Sequence, residues 1–106
     1  MAFALQTSLS ALIPSPAGAL FNFSATESVN DVMVVNTTGS DVTVSLWFDY
    51  DGTSATDTEK FISAYTVVAN GVLHLTGLWV FVSGGRITGL CSTNNAATAH
   101  ITKATV

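Results

Sequence analysis

The chain has 106 residues, enough for one domain with a single core, and 48% of them are hydrophobic while only 9% are charged. Its net charge of −4 and its three Lys and Arg residues exclude nucleic-acid binding through clustered cations, and no apolar run is long enough to span a membrane. A small free protein normally keeps itself soluble with charge, so this scarcity predicts a surface partly covered by other subunits.

The N-terminal third contains three candidate strands. Residues 1–13 are apolar and uncharged, and they end at the helix- and strand-breaking residues 14–18, P-S-P-A-G. This segment predicts an extended arm or a first strand, followed by a turn. Residues 20–23 form a short strand candidate, and residues 32–35 form a β-branched apolar run.

The clearest strand pattern lies at residues 41–48. Apolar and polar residues alternate strictly over D-V-T-V-S-L-W-F, so successive side chains leave opposite faces of a half-buried strand. The turn residues 36–40 join this segment directly to residues 32–35, which predicts an antiparallel hairpin of the two. Residues 49–59 are polar and acidic and predict a long exposed loop.

The C-terminal half continues the same pattern. Residues 61–68 and 72–82 flank Asn70-Gly71, the strongest short hairpin-turn signal in the chain, which predicts that the two segments pair. Gly77 predicts a bulge or a bend in the second segment. Two further strand candidates come after turns: residues 86–92 after Ser83-Gly84-Gly85, and residues 99–106 after Asn94-Asn95.

About eight short strands without helical periodicity predict an all-β fold, an antiparallel β-sandwich of jelly-roll type with an extended N-terminal arm. The expected division places the arm and its turn at residues 1–18 and the sandwich domain at residues 19–106.

No combination of side chains predicts catalysis. Cys91, His74 and His100 are the only material for a thiol-based nucleophilic site, and a lone cysteine usually behaves as a small hydrophobic residue. The chain lacks G-x-S-x-G, H-E-x-x-H and phosphate-loop motifs. The sequence therefore predicts a protein that is not an enzyme and has no cofactor.

Four acids of the 49–59 loop are weak candidates for metal ligands. D-Y-D-G places two carboxylates before a glycine, but the third early ligand and the distal Glu of an EF-hand loop are missing. A solvated loop is the favoured interpretation, and no metal site is predicted. The four weak candidates are Asp49, Asp51, Asp57 and Glu59.

Contact residues are expected in the N-terminal segment and around Trp47. An uncharged extended segment can add a strand to an open sheet edge. Trp47 lies on the polar side of its strand, which is typical of an interface anchor; a core position and a sugar-binding platform are the alternatives. The predicted contacts are Phe3, Leu5, Leu9, Leu12, Ile13, Trp47 and Tyr50.

Three stretches carry a family resemblance: V-V-N-T-T-G-S-D-V-T-V-S-L-W-F, then Y-T-V-V-A-N-G-V-L-H-L-T-G-L-W-V, then G-G-R-I-T-G-L-C-S-T-N-N-A-A-T-A-H-I-T. With them, residues 30–102 resemble a group of small all-β structural proteins of tailed bacteriophages. Residues 1–29 are not covered, and Arg86 and Cys91 depart from the group's pattern.

The resemblance implies a non-enzymatic virion protein that is assembled in the host cytoplasm. Its expected partners are further copies of itself and other virion proteins such as the major capsid protein. A head decoration or cement protein is the first expectation. A neck, tail or tail-fibre attachment protein is the alternative. The residues themselves leave two further alternatives open, a carbohydrate- or receptor-binding module around Trp47 and Tyr50, and a calcium-stabilised adhesion domain through the 49–59 loop.

Overall fold

A computed structural model of the chain describes residues 6–50 and 60–105, and its regular elements are all strands. None of the described residues belongs to a helix that could cross a membrane. The strands are β1 (Gln6–Leu12), β2 (Gly18–Asn22), β3 (Glu27–Asn36), β4 (Val42–Asp49), β5 (Lys60–Val67), β6 (Val72–Phe81), β7 (Arg86–Cys91) and β8 (Ala97–Thr105).

The strands form two four-stranded sheets. Sheet I has the order β1-β8-β3-β6, and sheet II has the order β2-β7-β4-β5. All pairings are antiparallel. Two packed sheets with this interleaved order make a jelly roll. The predicted all-β sandwich is therefore confirmed.

The two predicted hairpins are wrong. β3 pairs with β6 and β8 in sheet I, whereas β4 pairs with β5 and β7 in sheet II, so the turn after β3 crosses between the sheets. The Asn70-Gly71 turn also crosses, from β5 in sheet II to β6 in sheet I. A turn signal fixes where the chain reverses. Which layer the next strand joins depends on burying two apolar faces against each other.

The core lies between the sheets and follows the alternation read from the sequence. Along β4, Val42, Val44, Leu46 and Phe48 are at most 3% exposed, so their strand has one fully buried face. Valines of β3 and β8's Ile101 face them from sheet I. Each such side chain contributes about 1.5–3 kcal/mol by leaving water. The predicted strand at 41–48 is confirmed, within one residue at each end.

The predicted bulge at Gly77 is also confirmed. Val29 pairs with Trp79 while Asp31 pairs with Thr76, so two residues of β6 oppose one of β3. A Cβ on Gly77 would lie 3.0 Å from the Trp79 ring, so the missing side chain lets the indole lie against the strand. The bulge leaves the next residue, Leu78, exposed.

A cluster of aromatic rings joins the two sheets beside β5 and β6. The Phe48 ring is fully buried and stacks on Phe61 at a centroid distance of 4.5 Å. Trp79 and Phe81 of sheet I meet Phe48 edge-on, at 5.4 and 5.8 Å. Aromatic pairs of this kind add about 0.5–1.5 kcal/mol each beyond the area they bury. The cluster therefore ties β5 and β6 to the same core.

Candidate interaction surfaces

The chemistry-bearing side chains are not assembled into a reactive site in the described ranges. Cys91 is completely buried in the core, so its thiol does not meet solvent. His74 and His100 lie on the outer face of sheet I, away from that thiol. Within residues 6–50 and 60–105, no group of three or more His, Cys, Asp or Glu side chains could hold a metal ion.

Asp49, one of the weak metal candidates, ends β4 instead of lying in the loop. Its side chain is completely buried, and its Oδ2 accepts a hydrogen bond from Arg86 Nε at 3.1 Å. A carboxylate held by a guanidinium in this way is part of the structure of the β4 terminus, which corrects the expectation of a solvated acid. The other three candidates, Asp51, Asp57 and Glu59, lie outside the described residues.

The N-terminal contact residues fall into different environments. Leu9 is partly buried against the core, and Leu12 is 54% exposed at the end of β1. Ile13 is fully buried in the core, so its side chain is not available to a partner, which corrects that expectation. Phe3 and Leu5 lie outside the described residues.

The described part of the predicted arm is built into the sandwich, because β1 pairs along its whole length with β8. A separate role for residues 1–18 stays a prediction.

Trp47 and Tyr50 lie at half-exposed positions on different surfaces. Trp47 points from the outer face of sheet II and is half-buried, with Lys60 Nζ 5.1 Å from its ring centroid. That ammonium lies over one face of the indole, where a sugar ring could otherwise stack. Tyr50 is 38% exposed and stacks on Phe81, and burial raises the pKa of its phenol, so it stays neutral at physiological pH.

Exposed apolar residues are concentrated along the long side of the sandwich formed by the edge strands β5 and β6. Of the nine large hydrophobic residues exposed in the described ranges, seven lie on these two strands or next to their ends. We call this the β5–β6 side. Its members are Phe61, Tyr65, Val68, Val72, Leu78, Val80 and Val82.

The backbone edges on the same side are irregular. The register of β5 against β4 shifts twice, and Ala64 has a left-handed φ of 46°. The buried hydroxyl of Ser45 accepts a hydrogen bond from the Ala64 amide at 2.8 Å, which satisfies the donor displaced by the bulge. β6 has its own bulge at Gly77. Bulges of this kind stop a further strand from pairing with the edge. A partner would therefore contact this side through its apolar side chains and not through backbone hydrogen bonds.

A cleft of about 500 Å³ lies on the outer face of sheet I. Ser10, His100, Met33 and His74 form one row across its four strands. His74 Nε2 is 2.9 Å from Asp31 Oδ1, and both side chains are nearly half exposed. The lining mixes Ser and His side chains with apolar ones such as Met33, and it carries no built ligand set, so we assign no binding site to the cleft.

Sequence reasoning missed the β5–β6 side. Tyr65 and Leu78 lie in segments whose alternation predicts ordinary strands, and no local pattern marks those strands as sheet edges. The one usable signal was Gly77, because a bulge is typical of a sheet margin and leaves its neighbour Leu78 unpaired.

Comparison with known proteins adds fold information. No protein-family model and no curated protein sequence matches this chain. Among solved structures, a chain of the acid-stable capsid of Helicobacter pylori bacteriophage KHP30 is similar, with a TM-score of 0.61 and 9% identity over 97% of this chain and 88% of that chain. The Drosophila NLP core, described with pentamer formation and histone binding, has a TM-score of 0.58 and 4% identity over 96% and 98%.

Infectious bursal disease virus, Gx strain, provides a third similar structure, with a TM-score of 0.51 and 10% identity over 95% of this chain but only 29% of that chain. At these identities the similarity shows the fold alone. The fold is thus one that viral capsid chains share with a non-viral, pentameric core domain.

Proposed function

We propose that this chain is a structural protein of a bacteriophage particle, where it decorates and stabilises the capsid as a closed homo-oligomer. One observation carries the proposal: seven of nine exposed large hydrophobic residues in the described ranges lie on the β5–β6 side. Apolar surface concentrated in this way usually marks a protein interface. A jelly roll with an apolar side, and with no reactive group assembled within residues 6–50 and 60–105, is suited to building a particle.

The partner best suited to the β5–β6 side is another copy of the chain. The seven exposed side chains are all uncharged, whereas the whole chain carries −4. Lys60 begins β5 and His74 lies on β6, but the seven apolar side chains themselves bring no like charges together when two copies meet, and like-charge contact opposes association. The β5–β6 side is also long enough to form an extended contact between two copies, since the ten residues of β6 extend about 33 Å at roughly 3.3 Å per residue.

The capsid location is supported by the fold. The similar chain in the KHP30 capsid is nearly covered by this one, so the two are of comparable length. In infectious bursal disease virus the same fold occupies less than a third of the chain. Neck and tail-fibre positions are the alternatives within the same function.

The test of self-assembly is the native mass of the purified chain over a dilution series. We expect a closed oligomer that persists on dilution, and Leu78→Lys should lower its mass to that of a smaller species, because a charge would be buried at the contact. Asn22→Lys adds the same charge to an exposed position of β2, on the other side, and should leave the mass unchanged. A wild-type chain that is monomeric at every concentration would contradict the proposal.

The test of location is labelling of purified phage particles with an antibody against the chain. Regular labelling over the head is the expected result. Labelling confined to the neck or the fibres would select the alternative location, and particles without label would overturn the virion role.

A further inference from the structure

The open edge of β1 lacks the protection that the other sheet margins have. In the described ranges the marginal strands are β1 and β6 in sheet I and β2 and β5 in sheet II. The registers of β2, β5 and β6 are each interrupted by a shift. β1 pairs with β8 over seven consecutive residues without a shift, and its sequence, Q-T-S-L-S-A-L, contains no charge and no proline. Proteins normally guard an exposed edge with one of these devices.

The main-chain groups that face this open edge can be assigned. The Ile13 amide donates to the Ala97 carbonyl at 2.9 Å, and the Ile13 carbonyl accepts from the Asn95 amide at 3.0 Å, so residue 13 faces β8. Along a regular antiparallel strand the direction of these groups alternates. The amides and carbonyls directed away from β8 therefore belong to Gln6, Ser8, Ser10 and Leu12.

We propose that this edge binds β1 of a second copy of the chain, antiparallel, so that sheet I continues across a two-fold axis. Two identical edges related by such an axis run antiparallel and are complementary to themselves. The inference goes beyond the proposed function, because it requires neither a capsid nor the β5–β6 side.

The sequence of β1 suits a second copy of itself. Ser8-Leu9-Ser10 is symmetric about Leu9, so a pairing centred there sets Ser8 opposite Ser10 of the second copy. Both belong to the set with free main-chain groups, and the pair can exchange two hydrogen bonds. Leu9 is partly buried against the core and would meet Leu9 of the second copy, which extends the apolar layer across the axis. No side chain of β1 is charged, so the two strands bring no like-charged side chains of their own together.

The edge can be blocked by Ser10→Pro. Proline removes an amide that is not used within the sheet, and a proline is tolerated where the lost donor faces outward from an edge strand. We expect the dissociation constant of the β1 contact, measured by analytical ultracentrifugation, to rise at least about 100-fold. The matched control Ser10→Thr keeps the donor and favours a strand, so it should stay within about threefold of wild type.

Hydrogen exchange of the wild-type chain gives an independent readout. At high concentration the amides of Ser8 and Ser10 should be protected, and they should lose that protection on dilution. The amides of Thr7, Leu9 and Ala11, which face β8, should stay protected throughout. Rapid exchange of Ser8 and Ser10 at every concentration would overturn the inference, whether or not the proline variant folds.

Comparing Ser10→Pro with Leu78→Lys separates this inference from the proposed function. If Leu78→Lys lowers the native mass while Ser10→Pro leaves it unchanged, the β1 contact is absent and the β5–β6 contact stands. The reverse outcome supports the β1 contact and contradicts the β5–β6 side as the main interface.

Discussion

The two long sides of the sandwich differ in what they expose: one exposes apolar side chains, and the other exposes a regular backbone edge. On the β5–β6 side apolar side chains such as Tyr65 and Leu78 are exposed, but bulges interrupt both strand edges. On the β1 side the backbone edge is regular, but the exposed side chains near its middle are Ser8 and Ser10. A side that combined a regular edge with apolar side chains would be an aggregation site. Each side therefore permits one mode of contact and prevents the other.

The sides also differ in what attaches them to the core. The β5–β6 side is attached through rings, with Phe61 and Trp79 on Phe48 from opposite sheets. The β1 side is attached through backbone pairing to β8 and through aliphatic residues, chiefly Leu9 and the buried Ile13. We therefore expect the β5–β6 side to be more sensitive to core truncation and the β1 side to backbone change.

The largest loss in the free energy of unfolding is expected from Phe48→Ala, which removes the ring at the centre of the aromatic cluster. Truncation of a buried phenylalanine costs about 3–5 kcal/mol of the free energy of unfolding, because it leaves a cavity and removes the ring contacts. Denaturant unfolding measures this loss, and hydrogen exchange should show β5 and β6 amides losing more protection than β1 amides.

The control for Phe48→Ala is Ile13→Val on the opposite side of the core, where we expect only about 0.5–1.5 kcal/mol. Equal loss of protection on the two sides would contradict the difference in attachment.

An intermediate change in the free energy of unfolding is expected from substitutions at the β5 bulge. Ser45→Ala leaves the Ala64 amide without its side-chain acceptor. Because Ala64 is exposed on an edge strand, water can replace that acceptor in part, and we expect a loss of about 0.5–1.5 kcal/mol in the free energy of unfolding. Ala64→Gly should instead stabilise slightly, because glycine adopts the left-handed φ of 46° without steric cost. Thermal unfolding of the two variants, which should move in opposite directions, tests whether this bulge is held by Ser45. A destabilised Ala64→Gly variant would show that Ala64 is held by its side chain.

The smallest effect is expected from Asp31→Asn on the outer face of sheet I, between the two sides. The Asp31–His74 pair is nearly half exposed, and such surface pairs contribute at most about 1 kcal/mol. Neither the native mass nor the exchange of β1, β5 and β6 amides should change. A change in native mass would reveal a third contact surface over the cleft and would break the two-sided comparison.

Much of the fold could be predicted from local pattern. The alternation around Val44 and Leu46 identified β4 and its buried face, and Gly77 identified the bulge of β6. The turns at Asn70 and Asn95 were also found, and both residues adopt the left-handed φ that favours asparagine. The pairing of strands was not found, because adjacent candidates were joined into hairpins.

Asn36 shows why local reading fell short. It was assigned only to a turn, yet its side chain is fully buried and its Nδ2 donates to the carbonyls of Ser40, Val67 and Val68. The amide thus ties the turn after β3 to the end of β5, thirty-one residues further along the chain. A bond between such distant segments has no signature in either segment.

The candidate surfaces were predictable only in part. The scarcity of charge indicated covered surface, but the residues chosen for it included Ile13, which is buried, and omitted Leu78, which is exposed. The sequence does not show whether an apolar residue belongs to an edge strand or to a central strand. The two positions differ in exposure because a central strand has a neighbouring strand along both of its edges, whereas an edge strand has a neighbour along only one.

By itself the sequence determined that this protein is all-β and where most strands begin and reverse. These features depend on neighbouring residues, through side-chain alternation and turn conformation. The tertiary structure decided which strands pair, which lie at the margins, and hence which apolar residues remain exposed on the β5–β6 side. Those outcomes depend on how two sheets bury their faces together, and that is a property of the whole chain.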